Sequence, residues 1–177
     1  MENIKIETNI KKYINYIEKD TMRGLNYLFI SNIDGKIYLM ATNSYIMLVE
    51  TFEVEDLPDF KPFAISLEDI KTIIKLENKI TTLELDIENK KLIAGSLHLE
   101  IFNVTVPDYM QSLDYTTGKE PESVNIDLML LKKAIANIPK DVEKSVTDYQ
   151  IHIIGENKPL YLAKDNIIIV VMSCRIE

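Results

Sequence analysis

Tryptophan is absent from this 177-residue chain, and cysteine, histidine and glycine are scarce, at one, two and five residues. The lone Cys174 excludes an internal disulfide and a cysteine-built metal cluster. It lies in an apolar, strand-like run with no histidine near it in sequence, so a buried thiol fits better than a nucleophile. His98 and His152 stand alone in strand-like patterns, without metal-ligand spacing. The few glycines form no phosphate-binding loop. No apolar run has the length of a membrane span, and the longest clean stretch, Ile167 to Met172, is strand-sized. Met1 to Lys5 lacks the apolar segment of a signal peptide, so a cytoplasmic address is expected. No catalytic residue, metal or cofactor is expected from this inventory, and the chain reads as a non-enzyme.

Positive charge is also short. Lys and Arg number 20 against 28 Asp and Glu, for a net charge of −8. Taken over the whole surface, that balance argues against phosphate contacts, which need clustered cations. The distribution is less uniform than the total. Three segments with helical patterning are together positive, and the remainder is correspondingly more acidic.

Those segments begin at Thr8, Ser66 and Asp127, roughly sixty residues apart. Each start is a good N-cap, and Ser66 has Asp69 three residues on, in the manner of a capping box. The first segment, 8–19, carries Ile10, Tyr13, Ile14 and Ile17 at helical spacing. The second, 66–79, carries Leu67, Ile70, Ile73 and Ile74, and the third carries Leu128, Leu131, Ile135 and Ile138 before Pro139. A short extended run precedes each helix, at Ile4 to Ile6, Phe63 to Ile65 and Val124 to Ile126. Strand-like runs follow each helix, punctuated by Asp34-Gly35, Glu88-Asn89, Gly95-Ser96 and Asp165-Asn166 as turns. The last run of the second repeat is expected as one strand from His98 to Val104.

The expected fold class is therefore α+β, a strand–helix–three-strand unit occurring three times. One helix over a small antiparallel sheet cannot bury both faces alone, so units should pair with their helices on one side. Residues 1–113 form a two-unit domain, 114–121 a linker around Thr116, Thr117, Gly118 and Pro121, and 122–177 a single unit.

Three stretches carry a family resemblance. Met40-Ala41-Thr42-Asn43-Ser44-Tyr45-Ile46-Met47-Leu48-Val49 resembles an A-T-D-G-[HY]-R-L-A signature. Val106-Pro107-Asp108-Tyr109 resembles F/Y-P-D-Y, and Val170-Val171-Met172-Ser173-Cys174-Arg175-Ile176 resembles a terminal V-M-P-M-R-L. Leu25-Asn26-Tyr27-Leu28-Phe29 is similar to an L-N-G-[MV]-L-F strand. In their order along the chain, all four resemble segments of bacterial DNA polymerase sliding clamps, the polymerase III beta subunit family. Asn43-Ser44 stands for Asp-Gly, Ile46 for Arg, Ser173-Cys174 for Pro-Met and Gln111 for an Arg. Residues 1–113 resemble the family's middle domain and 122–177 the second half of its last domain, and this brevity suggests a phage or mobile-element source.

The resemblance implies a DNA-clamp-like fold and a polymerase processivity factor that encircles double-stranded DNA without sequence preference. It also implies a pocket for short peptides of polymerases and other replisome proteins, comprising Leu25, Thr42, Met47, Pro107, Val170, Met172 and Arg175. Without the resemblance, Leu25, Met47, Val170 and Met172 read as plain strand-core residues. The DNA-facing set would be Lys11, Lys12, Lys19, Arg23, Lys71, Lys75, Lys79, Lys132 and Lys133. Lys71, Lys75 and Lys79 share one helix face at i, i+4 and i+8. The plainer reading of these lysines is a solvated helix face. Clamps of this kind close with twelve units, so a homo-oligomer is expected, with four chains as its fullest form. The third unit has no evident partner within its chain, which would leave its helix stripe half covered. The competing reading is a truncated clamp mimic that binds replisome peptides without encircling DNA.

Overall fold

The computed structural model describes residues 3–19, 24–76, 81–106, 127–138, 149–153 and 159–172. The first unit comprises β1 (Ile4–Thr8), a 3-10 helix (Ile10–Asn15), β2 (Tyr27–Ile33), β3 (Lys36–Thr42) and β4 (Ile46–Glu53). The second comprises β5 (Phe63–Ser66), α1 (Leu67–Leu76), β6 (Thr81–Asp86), β7 (Lys91–Ala94), β8 (Leu97–Glu100) and β9 (Phe102–Asn103). The third comprises α2 (Leu128–Ala136), β10 (Gln150–Ile153), β11 (Leu160–Lys164) and β12 (Ile167–Val171). The linker and the strand expected at Val124 to Ile126 lie outside the described residues.

Local chemistry accounts for the boundaries. Ser66 caps α1: its hydroxyl accepts from the Asp69 N–H at 3.1 Å and donates to the Asp69 carboxylate at 2.7 Å. Asp127 caps α2 by accepting from the N–H groups of Met129 and Leu130. The turn between β2 and β3 puts Asp34 and Gly35 both at positive φ, the geometry for which Asp-Gly is suited.

The first helix departs from expectation. It is a short 3-10 turn whose N-cap is Asn9, with no side-chain cap. Its buried residues explain the tighter winding, because Ile10, Tyr13 and Tyr16 recur every three residues. Thr8, expected as the cap, is the last residue of β1, and its side chain points inward. The run from His98 to Val104 is also two strands instead of one. The chain turns at Ile101, whose N–H donates to the Lys90 carbonyl at 2.9 Å, and β9 then crosses to the other sheet.

Two antiparallel sheets result, ordered β1-β6-β7-β8 and β10-β11-β12-β4-β3-β2-β5-β9. The first two units exchange their leading strands: β1 pairs with β6 of the second unit, and β5 pairs with β2 of the first. The 3-10 helix packs against α1, and both rest on one continuous core with Leu28, Ile30, Leu39, Leu83 and Leu85. Full burial of such side chains stabilises the fold by about 1.5–3 kcal/mol each.

The third unit does have a neighbour within the chain. β12 pairs with β4 from Ile167 opposite Glu50 to Val171 opposite Ile46, so its sheet continues that of the first unit. The Thr51 N–H donates to the Asn166 carbonyl at 2.9 Å, and the Asn166 amide donates back to the Thr51 carbonyl. On the helix side, the Tyr16 hydroxyl donates to the Asn137 carbonyl at 3.0 Å just past α2. Ala134 of α2 is buried in the common core. The stripe of α2 is nonetheless half covered: Leu131 and Ile138 are partly buried, and Leu128 and Ile135 are exposed.

Candidate functional site

Strand alternation usually gives one apolar and one polar face, yet the eight-stranded sheet is apolar on both sides near the β4–β12 seam. Ile46 and Leu48 of β4, with Ile167, Ile169 and Val171 of β12, face the helices. Met47 and Val49, with Val170, face the opposite side and join a second cluster with Leu25, Phe29, Met40, Ala64 and Tyr161. Ile168, Met172, Tyr27, Tyr38, Val104 and Val106 pack around it, each partly buried. This second cluster lies on the face away from the helices and spans the junction of two units.

Register places the expected residues in line. Thr42 is opposite Met47, Met47 opposite Val170, Val170 opposite Tyr161, and Tyr161 opposite His152. Neighbours in such a row stand about 4.5–5.5 Å apart. A parallel row runs Ala64, Phe29, Met40, Val49, Ile168. Met172 follows the end of β12, its N–H donating to the Tyr45 carbonyl at 2.9 Å. Leu25 precedes β2 and is held by the Glu18 N–H donating to its carbonyl. Five of the seven expected pocket residues, Leu25, Thr42, Met47, Val170 and Met172, thus meet on one face. Pro107 and Arg175 lie outside the described residues.

The turn from Thr42 to Ile46 shapes one end of this face. The Asn43 carboxamide oxygen accepts from the N–H groups of Tyr45 and Ile46, each at 3.1 Å. The Thr42 hydroxyl donates to the Ile46 carbonyl at 3.1 Å, so it is spent on the turn. Ser44 sits at φ +72, the left-handed region where a glycine is most at ease. The ring of Tyr45, held outward by this turn, is half exposed beside Met172.

Sequence reasoning missed Phe29, Met40, Val49, Tyr161 and Ile168. For Val49 and Ile168 a signal was available: Ile46 to Val49 and Ile167 to Val171 are unbroken apolar runs, which imply burial on both faces. A separate cavity of about 220 Å³ lies at the other sheet, between Ile4, Pro58, Asp59, Leu85 and Ile87, and touches none of the expected residues.

The lysines divide. Lys11, Lys19, Lys71, Lys75, Lys132 and Lys133 are exposed. Arg23 and Lys79 lie outside the described residues. Lys12 corrects the expectation, because its side chain is only 5% exposed and its ammonium lies 2.6 Å from the Glu50 carboxylate. Glu50 also accepts from the hydroxyls of Thr8, at 2.7 Å, and Tyr13. This cation is committed to the interior and is unavailable to a phosphate. His98 is exposed on β8, and His152 is half-buried on β10.

Exchanged leading strands, helices gathered on one side, and a sheet continued edge to edge into a further unit define the architecture of a DNA clamp. Solved structures of bacterial sliding clamps are similar to the chain. That of Bacillus subtilis matches with a TM-score of 0.66 at 9% identity over 99% of this chain and 64% of its own. The Caulobacter crescentus polymerase III beta subunit gives 0.66 at 11% identity, over 99% of this chain and 67% of its own. The Borrelia burgdorferi subunit, solved in complex with a natural product, gives 0.62 at 14% identity, over 99% and 65%. No family model matches the sequence, and no curated protein matches it. The chain has the sliding-clamp fold and spans about two thirds of the length of these clamps.

Proposed function

We propose that the protein is a non-catalytic, cytoplasmic DNA sliding clamp, a polymerase processivity factor that encircles duplex DNA as a homo-oligomer. Polymerases and other replisome proteins would dock a short linear peptide on the outward apolar face at the β4–β12 seam. The observation that carries this reading is the row Thr42–Met47–Val170, flanked by Leu25 and Met172, because it joins motifs far apart in sequence into one cluster on that face, with Leu25, Thr42, Met47 and Val170 buried and Met172 at its edge. Methionines at three of its positions, Met40, Met47 and Met172, suit a site that accepts varied apolar side chains. Partly buried Met172 and Ile168 and half-exposed Tyr45 are the parts a peptide could reach.

DNA binding is supported by exposed lysines on the helix side: Lys11, Lys19, Lys71, Lys75, Lys132 and Lys133. Such contacts would go to phosphates, independent of sequence and weakened by salt.

Titration calorimetry with a peptide ending in Leu-Phe tests the pocket. Binding at micromolar strength, about −8 kcal/mol, is expected. Met172→Asp should abolish it by setting a charge in an apolar site. Equal binding by wild type and a correctly folded M172D protein would remove the pocket.

A second reading has its own support. β4 and β12 pair within one chain and set Met47 opposite Val170, so peptide capture on this face needs no ring. A clamp mimic that engages replisome peptides as a monomer would use the same face and leave the lysines idle.

A further inference from the structure

α1 and α2 occupy the same place in their units, each starting one residue after its cap, Ser66 or Asp127. Counting from the caps, Leu128 corresponds to Leu67 and Ile135 to Ile74. Leu67 and Ile74 are packed against the core of the paired domain. Leu128 is 74% exposed and Ile135 is 53% exposed, with Met129 beside them at 73%. The same contrast holds in the strands. Ile151 of β10 pairs with Leu162, which faces the helix-side core, yet Ile151 is 60% exposed. Leu28 and Ile30 of β2, and Leu83 and Leu85 of β6, are its counterparts and are buried. Four of the large exposed apolar side chains among the described residues therefore lie on the third unit, and three of them, Leu128, Ile135 and Ile151, stand at positions that the first two units cover by pairing.

The chain shows what covers such a face, namely another unit of the same kind, through helix-to-helix packing and exchanged leading strands. Between β9 and α2 lie only residues 104–127, too few for a further unit of about sixty residues. We infer that the open face of the third unit is closed by the same face of a second copy, forming one composite two-unit domain across a two-fold axis. The contact is isologous, so the patch of Leu128, Met129, Ile135 and Ile151 on one copy meets the same patch on the other. In that arrangement each copy's β10, the outermost described strand of its sheet, offers the edge that β6 offers to β1. Lys132 corresponds to Lys71, which stays exposed in the paired domain, so the lysines need not face each other across the contact. This deepens the ring reading by naming the contact that would build the oligomer, and it does not depend on peptide binding.

Light scattering after size exclusion of the full chain at tens of micromolar tests it, with a Leu128→Glu, Ile135→Glu double variant alongside. Both positions are exposed, so the variant should keep the wild-type circular dichroism spectrum and peptide binding. The expected result is wild type at twice the 20.4 kDa chain mass or a higher even multiple, with the variant reduced at least twofold. An oligomer of unchanged mass in the variant overturns the composite domain but leaves a ring built through other contacts standing. A wild-type chain that is monomeric at every concentration overturns both.

Discussion

Glu50 follows the apolar stretch from Ile46 to Val49 in β4 and is buried, unlike Glu53 of the same strand, and its burial is made tolerable by three donors. Thr8 comes from β1, Lys12 and Tyr13 from the 3-10 helix, so one carboxylate ties two elements to β4 beside the seam. Removing one partner strands the other charge in a dry site. Glu50→Ala should therefore cost about 3–5 kcal/mol in denaturant unfolding. Adding Lys12→Met should recover much of that loss, and a cost below about 1 kcal/mol for the single change would contradict the buried pair. Tyr16 makes a second test. Burial, and then neighbouring Tyr149, hold its phenol well above the ordinary value of 10.0. A raised acid pKa means the unfolded chain releases its proton first, so stability is intact below pH 10 and falls as pH rises beyond it. Tyr16→Phe should cost about 1 kcal/mol at neutral pH through the lost bond to Asn137. It should also flatten the decline in stability above pH 10, measured by unfolding at stepped pH. Lys12 illustrates why side-chain fate escapes a sequence reading. Helical spacing relates it to its neighbours on the turn, but Glu50 is 38 residues away and reaches it only after folding.

Elements were more legible than their partners. Ser66-x-x-Asp69 and Asp127 announced the starts of α1 and α2, and Asp34-Gly35 and Asp165-Asn166 announced turns, because each signal is local chemistry between residues a few positions apart. The 3-10 helix was read as an ordinary helix since Ile10, Tyr13, Ile14 and Ile17 share one face at 3.6 residues per turn, whereas the buried Ile10, Tyr13 and Tyr16 recur every three. The exchange of β1 and β5 between units left no trace in the sequence, nor did the β4–β12 pairing, because backbone pairing of distant strands carries no residue code. The pocket residues were named through motif resemblance, whereas Phe29, Met40 and Tyr161 followed only from register. At this scale, Asp127→Ala should lower stability by about 1 kcal/mol by freeing the N–H groups of Met129 and Leu130. Thermal unfolding checks it, and affinity for the Leu-Phe peptide should be unchanged, because α2 lies on the opposite face of the sheet from Met47 and Val170.

Across the whole molecule, an acidic chain with net charge −8 keeps exposed lysines on its helices. Replacing Lys71 and Lys75 by Ala should leave stability within about 0.5 kcal/mol, as exposed substitutions do. It should reduce DNA binding most at low salt, measured by fluorescence anisotropy on duplex of unrelated sequences, and an unchanged salt dependence would turn α1 away from DNA. Unit arithmetic sets the larger expectation. β8 is the last described strand of its sheet, in the position that β4 occupies beside β12, so on the proposed assembly one chain would offer a seam edge at one end and a pairing face at the other. Two-fold closure at both kinds of end would join four chains of three units into a ring of twelve. Electron microscopy of the purified full chain, imaged at the concentration where light scattering gives its largest mass, tests the central claim most directly. The account predicts closed rings with a lumen wide enough for a DNA duplex. Particles that remain single chains or open arcs, with peptide binding intact, would contradict the encircling clamp and leave the peptide-binding mimic.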